Sequence, residues 1–333
     1  KIITKGKNMN NIKKIGLTAL AGSLVAISAQ AAEMSVNGAT MLTYTSEDGT
    51  EVTGNPFGMK TNLAFTASGE VNGYNVSYYQ ASQDQFAGMS SARLSIDMGD
   101  MGTLAFDQGS GSGLATIDDK TPTAAEEIWD GLDVTTSGRV GAAGSSGVFN
   151  YVKSFEGVTF NGAARKGSGT SNSDGASSGV GQGAWDFALT ADGSSMGVDG
   201  LAIGLGYGEA ENGSQAGSSY GDAEHMTAFA NYSVGPVTFG YQMSYIDANV
   251  NGTDDEETTA WGLAFNVNEN LSISYGERDV VYKGAGTSAD VTEKGDGIAV
   301  AYTMGSMKIA GNMNEVSDND GVAGADDSMT EIA

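Results

Sequence analysis

The sequence predicts an all-β chain: a transmembrane, antiparallel, up-and-down β-barrel of sixteen strands, about fifteen of them complete. Three observations carry this reading. Apolar and polar residues alternate with a period of two, in segments of roughly 9–12 residues. The joints between segments are alternately tight and long. A leader of the kind that exports proteins precedes the first segment.

The leader comes first in the chain. From Met9 the sequence runs MNNIKKIGLTALAGSLVAISAQAAEMS. Lys13 and Lys14 form a positive n-region, Ile15 to Ile27 an apolar core, and Ala29–Gln30–Ala31 an A-x-A-type cleavage site. The core is short for a bilayer span and no stop-transfer pattern follows, so residues 9–32 read as a signal peptide, cut after Ala31 or Ala32. Residues 1–8, KIITKGKN, stand upstream of that Met and read as leader outside the native protein. The barrel then occupies 33–333.

Charge narrows the function. The chain has 333 residues, 50 Gly, 3 Pro, no Cys and a formal net charge of −25. Residues 1–32 hold five of the sixteen Lys and Arg and none of the 41 acids, which leaves 11 against 41, or −30, beyond them. Such a field repels nucleic acid, whose binding needs cations against phosphates. It suits divalent cations and a cation-bridged lipopolysaccharide surface. Without cysteine there is neither a disulfide frame nor a thiolate metal site.

The strands follow in order: 34–45, 59–69, 73–82, 91–99, 103–107, 147–155, 158–166, 184–191, 200–208, 225–233, 236–246, 258–267, 271–281, 297–304 and 307–315, with SMTEIA opening a sixteenth. In GMKTNLAFTASG, Met59, Leu63, Phe65 and Ala67 share a face against Lys60, Asn62, Thr66 and Ser68. In GPVTFGYQMSY, Val237, Phe239, Tyr241, Met243 and Tyr245 oppose Thr238, Gly240, Gln242 and Ser244. LAIGLGYG sets Leu201, Ile203, Leu205 and Tyr207 against small residues. SGEVNG, MGDMG, FEG, SVGP, NEN and MGSM make tight joints; 46–57, 82–90, 167–183, 209–223, 247–257, 283–295 and 317–327 are long and polar. An even strand number closes such a meander without an edge.

A soluble sandwich would alternate as well. Two features favour a membrane. Tyr44, Tyr74, Tyr78, Tyr151, Tyr207, Tyr232, Tyr245 and Tyr302 lie near strand ends, where interfacial girdles form. The polar face carries Lys60, Asn62, Arg93, Asp97, Asn161, Arg165, Asp186, Gln242, Arg278 and Lys308, charges that a dry core would penalise. The apolar face therefore points to lipid and the polar face lines a lumen.

Residues 107–146 break the alternation and form the longest joint. A sixteen-stranded barrel leaves an aqueous channel. Folded inward, this loop narrows it, with Asp118, Asp119, Glu126, Glu127, Asp130 and Asp133 as the acidic side of a constriction. Lys60 and Arg93, with Arg165, Arg278 and Lys308, form the basic wall. Opposed charges across a wet gap filter solutes by charge and dipole. The alternative is a solvated surface loop, against which Ile128 and Trp129 argue as apolar anchors.

Other motifs carry less. His225 is the only histidine, too few for a triad or a histidine metal site, and reads as a charged loop-end residue; no catalytic constellation is present. GSGSG (109–113) lacks the helix and Lys of a phosphate cradle. No cofactor is expected, apart from Ca²⁺, whose oxygen ligation the acids of NVNGTDDEE and DNDGVAGADD suit outside any EF-hand spacing.

MGDMGTLAFDQGSGSG leading into the long loop, and GVFNYVKSFEGVTFNGAAR leaving it, resemble the general diffusion porins of Gram-negative outer membranes, the alphaproteobacterial branch above all. The resemblance implies a homotrimeric sixteen-stranded barrel that passes small hydrophilic solutes, with its third loop in the lumen. It maps the acidic half of the constriction onto Asp118 to Asp133 and the basic half onto Lys60 and Arg93. Two departures stand out: a wall poor in Arg, and a chain that reaches Ala333 without the family's final strand and terminal aromatic, as in a C-terminally truncated product. The function expected is passive, weakly cation-preferring diffusion. A non-conducting structural or adhesive barrel and a secreted β-sandwich are the alternatives.

Overall fold

The computed structural model describes residues 33–49, 54–82, 90–132, 138–144, 146–167, 183–212, 221–250, 255–284 and 289–333. The leader, the signal peptide and Asp133 lie outside the described residues.

Tight turns join alternate pairs of strands. Asn72 and Gly73 take φ of 52° and 83° between the second and third strands, and Glu156 and Gly157 take 47° and 84° between the sixth and seventh. Positive φ at both central residues belongs to the two-residue turn whose twist matches a right-handed hairpin. The strands are β1 (Glu33–Gly49), β2 (Phe57–Val71), β3 (Tyr74–Ser82), β4 (Ser91–Asp97), β5 (Thr103–Gln108), β6 (Ser146–Phe155), β7 (Val158–Arg165) and β8 (Ala184–Asp192). They continue as β9 (Leu201–Ala210), β10 (Ala223–Val234), β11 (Val237–Asp247), β12 (Asp255–Asn266), β13 (Leu271–Lys283), β14 (Val291–Met304), β15 (Met307–Ser317) and β16 (Asp327–Ile332).

Every strand pairs antiparallel with its sequence neighbours, and β16 pairs with β1, so the sheet is a closed barrel. The alternation alone reads SMTEIA only as the opening of a sixteenth strand. In the structure its six residues nonetheless bridge both neighbours, with Ile332 opposite Tyr44 on β1 and Gly311 on β15. Closure matters because a backbone N–H or C=O left unpaired in hydrocarbon costs several kcal/mol.

The two faces separate as the alternation predicts. Leu63, Leu205, Phe239, Tyr241, Met243, Leu263 and Ile298 are exposed, while Gln242, Ser244, Thr227, Ser274, Asn312 and Asn314 on the other face are buried. The greasy rows are thus the outer surface. They end at aromatic rims: Tyr207 Oη donates to Glu209 at 2.8 Å, Tyr275 Oη to Glu277 at 2.8 Å, and Trp261 Nε1 to Glu277 at 3.1 Å. A ring with its apolar body toward lipid and its polar atom toward a wet carboxylate marks the boundary of the bilayer.

Because Leu205 is 51% exposed in the middle of β9, Leu205→Lys should destabilise the folded barrel in lipid by about 2–4 kcal/mol. Denaturant titration into lipid vesicles measures this; a change within about 0.5 kcal/mol would mean that the face meets water.

Candidate functional site

Residue by residue, the chain leaves β5 through a designed kink. The β5–β6 register shifts at Asp107/Gln108, and Asp107, fully buried, accepts from Ser110 N at 3.0 Å and Ser112 Oγ at 2.7 Å. Arg93 on β4 braces the same turn: it stands 3.8 Å from Asp107, donates to Gly111 O at 3.1 Å and also donates to Asn150 Oδ1. Gly113 closes the turn at φ 59°, where a Cβ would lie 1.8 Å from Asp186 Oδ1, so only glycine fits. GSGSG is therefore a backbone hinge.

Beyond it, a single 3₁₀ turn (Gly113–Ile117) buries Leu114 and Ile117 against Val140, Ala188 and Phe229. The segment then runs past one strand after another, and polar side chains from the barrel's inner-facing rows take its backbone groups. Asp186 on β8 holds both legs at once, accepting from Leu114 N at 3.0 Å and Ala143 N at 2.8 Å. Asn161 on β7 accepts from Gly113 N at 3.0 Å. Gln242 on β11 donates to Ile117 O at 2.8 Å and accepts from Lys120 N at 2.7 Å; Asn231 on β10 donates to Lys120 O at 2.7 Å. Ser274 on β13 accepts from Ala124 N at 2.9 Å, and Asn314 on β15 donates to Glu127 O at 3.2 Å and Asp130 O at 2.9 Å. Groups that would be orphaned away from water are thereby paired.

A stripe of glycine makes the close approach possible. Gly240, Gly262, Gly276 and Gly297 sit opposite one another across β11 to β14. A Cβ on Gly240 or Gly262 would come within 2.7 Å of Pro122, and one on Gly276 or Gly297 within 3.3 Å of Ile128. Ile128 therefore anchors the segment, as its apolar character suggested; Trp129 lies with its ring centroid 5.0 Å from Arg278 Cζ.

The carboxylates Asp118, Asp119, Glu126, Glu127 and Asp130 are all half-buried along this segment. Burial pushes the Asp119 carboxyl up to about 6, and the neighbouring Glu127 and Asp118 charges push the same way. Burial also raises Asp118, where Arg139 and Lys120 oppose it. It raises Glu126, joined by Asp130 and Glu127 and opposed by Lys308 and Lys60. Asp130 is raised by burial, against Lys60. Lys60 and Lys308, both exposed, line one cavity of about 900 Å³ with Glu126.

The expected basic wall divides. Lys60 and Lys308 face the acids. Arg93 is committed to the hinge, and Arg165 donates to Gly167 O at 3.2 Å. Arg278 differs most from expectation: it is 5% exposed and paired with Glu293 at 3.1 Å, a strut rather than a free charge. His225, expected as a charged loop-end residue, stands on β10 and accepts from Gly141 N at 3.4 Å, which requires an unprotonated Nδ1. Among the described residues no group of three His, Asp or Glu side chains is arranged to hold a metal ion. Sequence reasoning missed Glu293, the anchoring roles of Asp186, Gln242 and Asn314, and the cations Lys120 and Arg139 on the segment itself. Glycine recurring at inner-facing positions, as in LAIGLGYG, was the available signal.

A wide, closed, lipid-embedded barrel with charged side chains on its inner rows defines a membrane channel. The sequence pattern of the Gram-negative porins matches residues 16–321, and the chain belongs to that family of outer-membrane channels for small solutes. Solved structures share the fold. Outer-membrane expressed OmpT of Vibrio cholerae superposes with a TM-score of 0.62 at 14% identity, covering 90% of this chain and 96% of that one. OmpF of Salmonella typhi, solved with daunomycin, gives 0.61 at 15% identity, covering 90% and 97%. A refined porin gives 0.62 at 12% identity, covering 90% and 99%. No curated protein matches the sequence.

Asp186→Ala removes the acceptor shared by two buried N–H groups, at about 1–3 kcal/mol for each. Amide hydrogen exchange at Leu114 and Ala143 should accelerate, while the strand amides of β10 to β14 keep their protection.

Proposed function

We propose that the chain forms a weakly cation-preferring diffusion channel for small hydrophilic solutes and ions, in which residues 107–146 fold into the lumen and narrow it. The observation that carries this reading is the ladder of hydrogen bonds from that segment to inner-row side chains of β7, β8, β10, β11, β13 and β15. A loop on the outside of the barrel could not reach six strands through that face. Asp118, Asp119, Glu126, Glu127 and Asp130 form the acidic side of the gap; Lys60 and Lys308 form the basic side, with Arg93, Arg165 and Arg278 behind it as braces. With acids outnumbering cations at the narrowing, cations enter at higher local concentration than anions.

The exported form begins after the signal peptide, near Glu33, and sits among outer-membrane lipid and lipopolysaccharide. A trimeric form of Vibrio cholerae OmpT is among the similar structures, which supports a homotrimer here.

Reversal potentials in planar bilayers test the charge assignment. At pH 7.5 a salt gradient should give K⁺ selectivity over Cl⁻. Asp119 titrates near 6 and carries no charge once protonated, so the preference should fall as pH drops from 7 to 5. Asp119→Asn should lower the preference at pH 7.5 and flatten this pH dependence. Anion selectivity at pH 7.5 would reject the assignment.

A further inference from the structure

We propose that Glu293 is a positioning residue: through Arg278 and Trp129 it holds the acidic turn of the crossing segment in place, and it ties that turn to the loop between β15 and β16. The inference rests on the reading of residues 107–146 as the constriction.

Glu293, on β14, is 1% exposed and accepts three hydrogen bonds: from Arg278 Nη1 at 3.1 Å, Tyr282 Oη at 3.0 Å and Asp320 N at 3.0 Å. A carboxylate this deeply buried requires such company. The Asp320 contact comes from the β15–β16 loop, where the backbone turns at φ 51°. The Arg278 contact leads the other way. Its guanidinium, fixed by Glu293, lies 5.0 Å from the centroid of the Trp129 ring. A planar cation held in one orientation is what an aromatic face requires, and lysine would not supply it.

Trp129 occupies the turn closed by Asp130 N to Glu127 O at 3.0 Å and Leu132 N to Trp129 O at 3.3 Å. The same turn carries Glu127 and Asp130, with Glu126 beside it. Its other restraints are Asn314 on the carbonyls of Glu127 and Asp130, Ile128 above the glycine stripe, and Leu132 packed on Val316 and Met329. All of these grip the backbone or the wall side. The indole is the grip that sets rotation of the turn, and so the direction in which its carboxylates face Lys60 and Lys308. Glu293 therefore reaches two loops with one side chain.

Single-channel recording of the full chain in planar bilayers tests this, with a Glu126→Gln/Asp130→Asn variant as the reference for loss of the acids. Trp129→Ala retains every carboxylate and buries no unpaired charge, so it stands even where Glu293→Gln fails to fold. It should raise the undocked population of the turn by about two- to thirtyfold, seen as increased open-channel noise. Its K⁺/Cl⁻ permeability ratio should shift toward that of the reference, with the thermal unfolding of the barrel unchanged. Trp129→Phe should restore both readouts, and Arg278→Lys should not. Parental noise and permeability ratio in Trp129→Ala, alongside a shifted reference, would overturn the positioning role and leave the constriction standing. A reference with the parental ratio would overturn both.

Discussion

Hydrocarbon offers no hydrogen bonds, and the rest of this structure follows from that. A sheet that crosses a bilayer must pair every backbone group internally, so it must close. Closure by tight hairpins at one end gives the meander, the even strand number and the period of two. It also decides the polarity of the faces: the exposed Leu, Phe and Met rows point out because nothing else in the molecule covers them. The polar rows are then left inside, where sixteen strands enclose more space than side chains fill. The inner surface is available to bind a segment of the chain itself.

The segment that leaves β5 carries the same requirement. Its backbone groups are buried against the wall, and Asp186, Gln242, Asn231, Ser274 and Asn314 meet them. The charges divide by burial. Arg278 and Glu293 are almost wholly enclosed, where an uncompensated charge is strongly destabilising, so they must pair. Lys60 and Lys308 remain exposed and keep their charges for whatever occupies the gap. Half-buried acids such as Asp119 ionise less readily because burial penalises the charged form, with the nearby Glu127 and Asp118 charges adding to it.

Much of this was legible in the sequence, and the limit of legibility has a physical location. Period two and the turn residues specify strands wherever one face meets lipid. Above the aromatic rim the same ladders continue between two wet faces, alternation fades, and the pattern reads as loop. So β14 begins at Val291 rather than 297, and β12 at Asp255 rather than 258. The acids between Asp118 and Asp130 were visible as a cluster. Their anchors were not, because Asp186 meets Leu114 across 72 residues and Ala143 across 43. Such contacts depend on the register of several hairpins together. Arg278 has the parity of an inner-facing residue, but that parity does not reveal Glu293 lying beside it.

The wall has its fewest hydrogen-bonded neighbours along the first part of β1, which pairs with β2 alone. β16 pairs from Asp327 to Ile332, so it covers β1 only from Tyr44 to Gly49. Below that, the cavity between β1 and β15 opens beside Lys60 and Lys308. Local stability follows the density of paired neighbours, and a strand paired on one side opens at lower free energy than one paired on both. Leu132 packs on Val316 and Met329, and Asn314 on β15 grips the Glu127–Asp130 turn, so residues 127–132 brace the β15 and β16 side of this opening. The crossing segment thus adds its contacts on the β15–β16 side of the opening, beside the stretch of β1 that is paired on one side only.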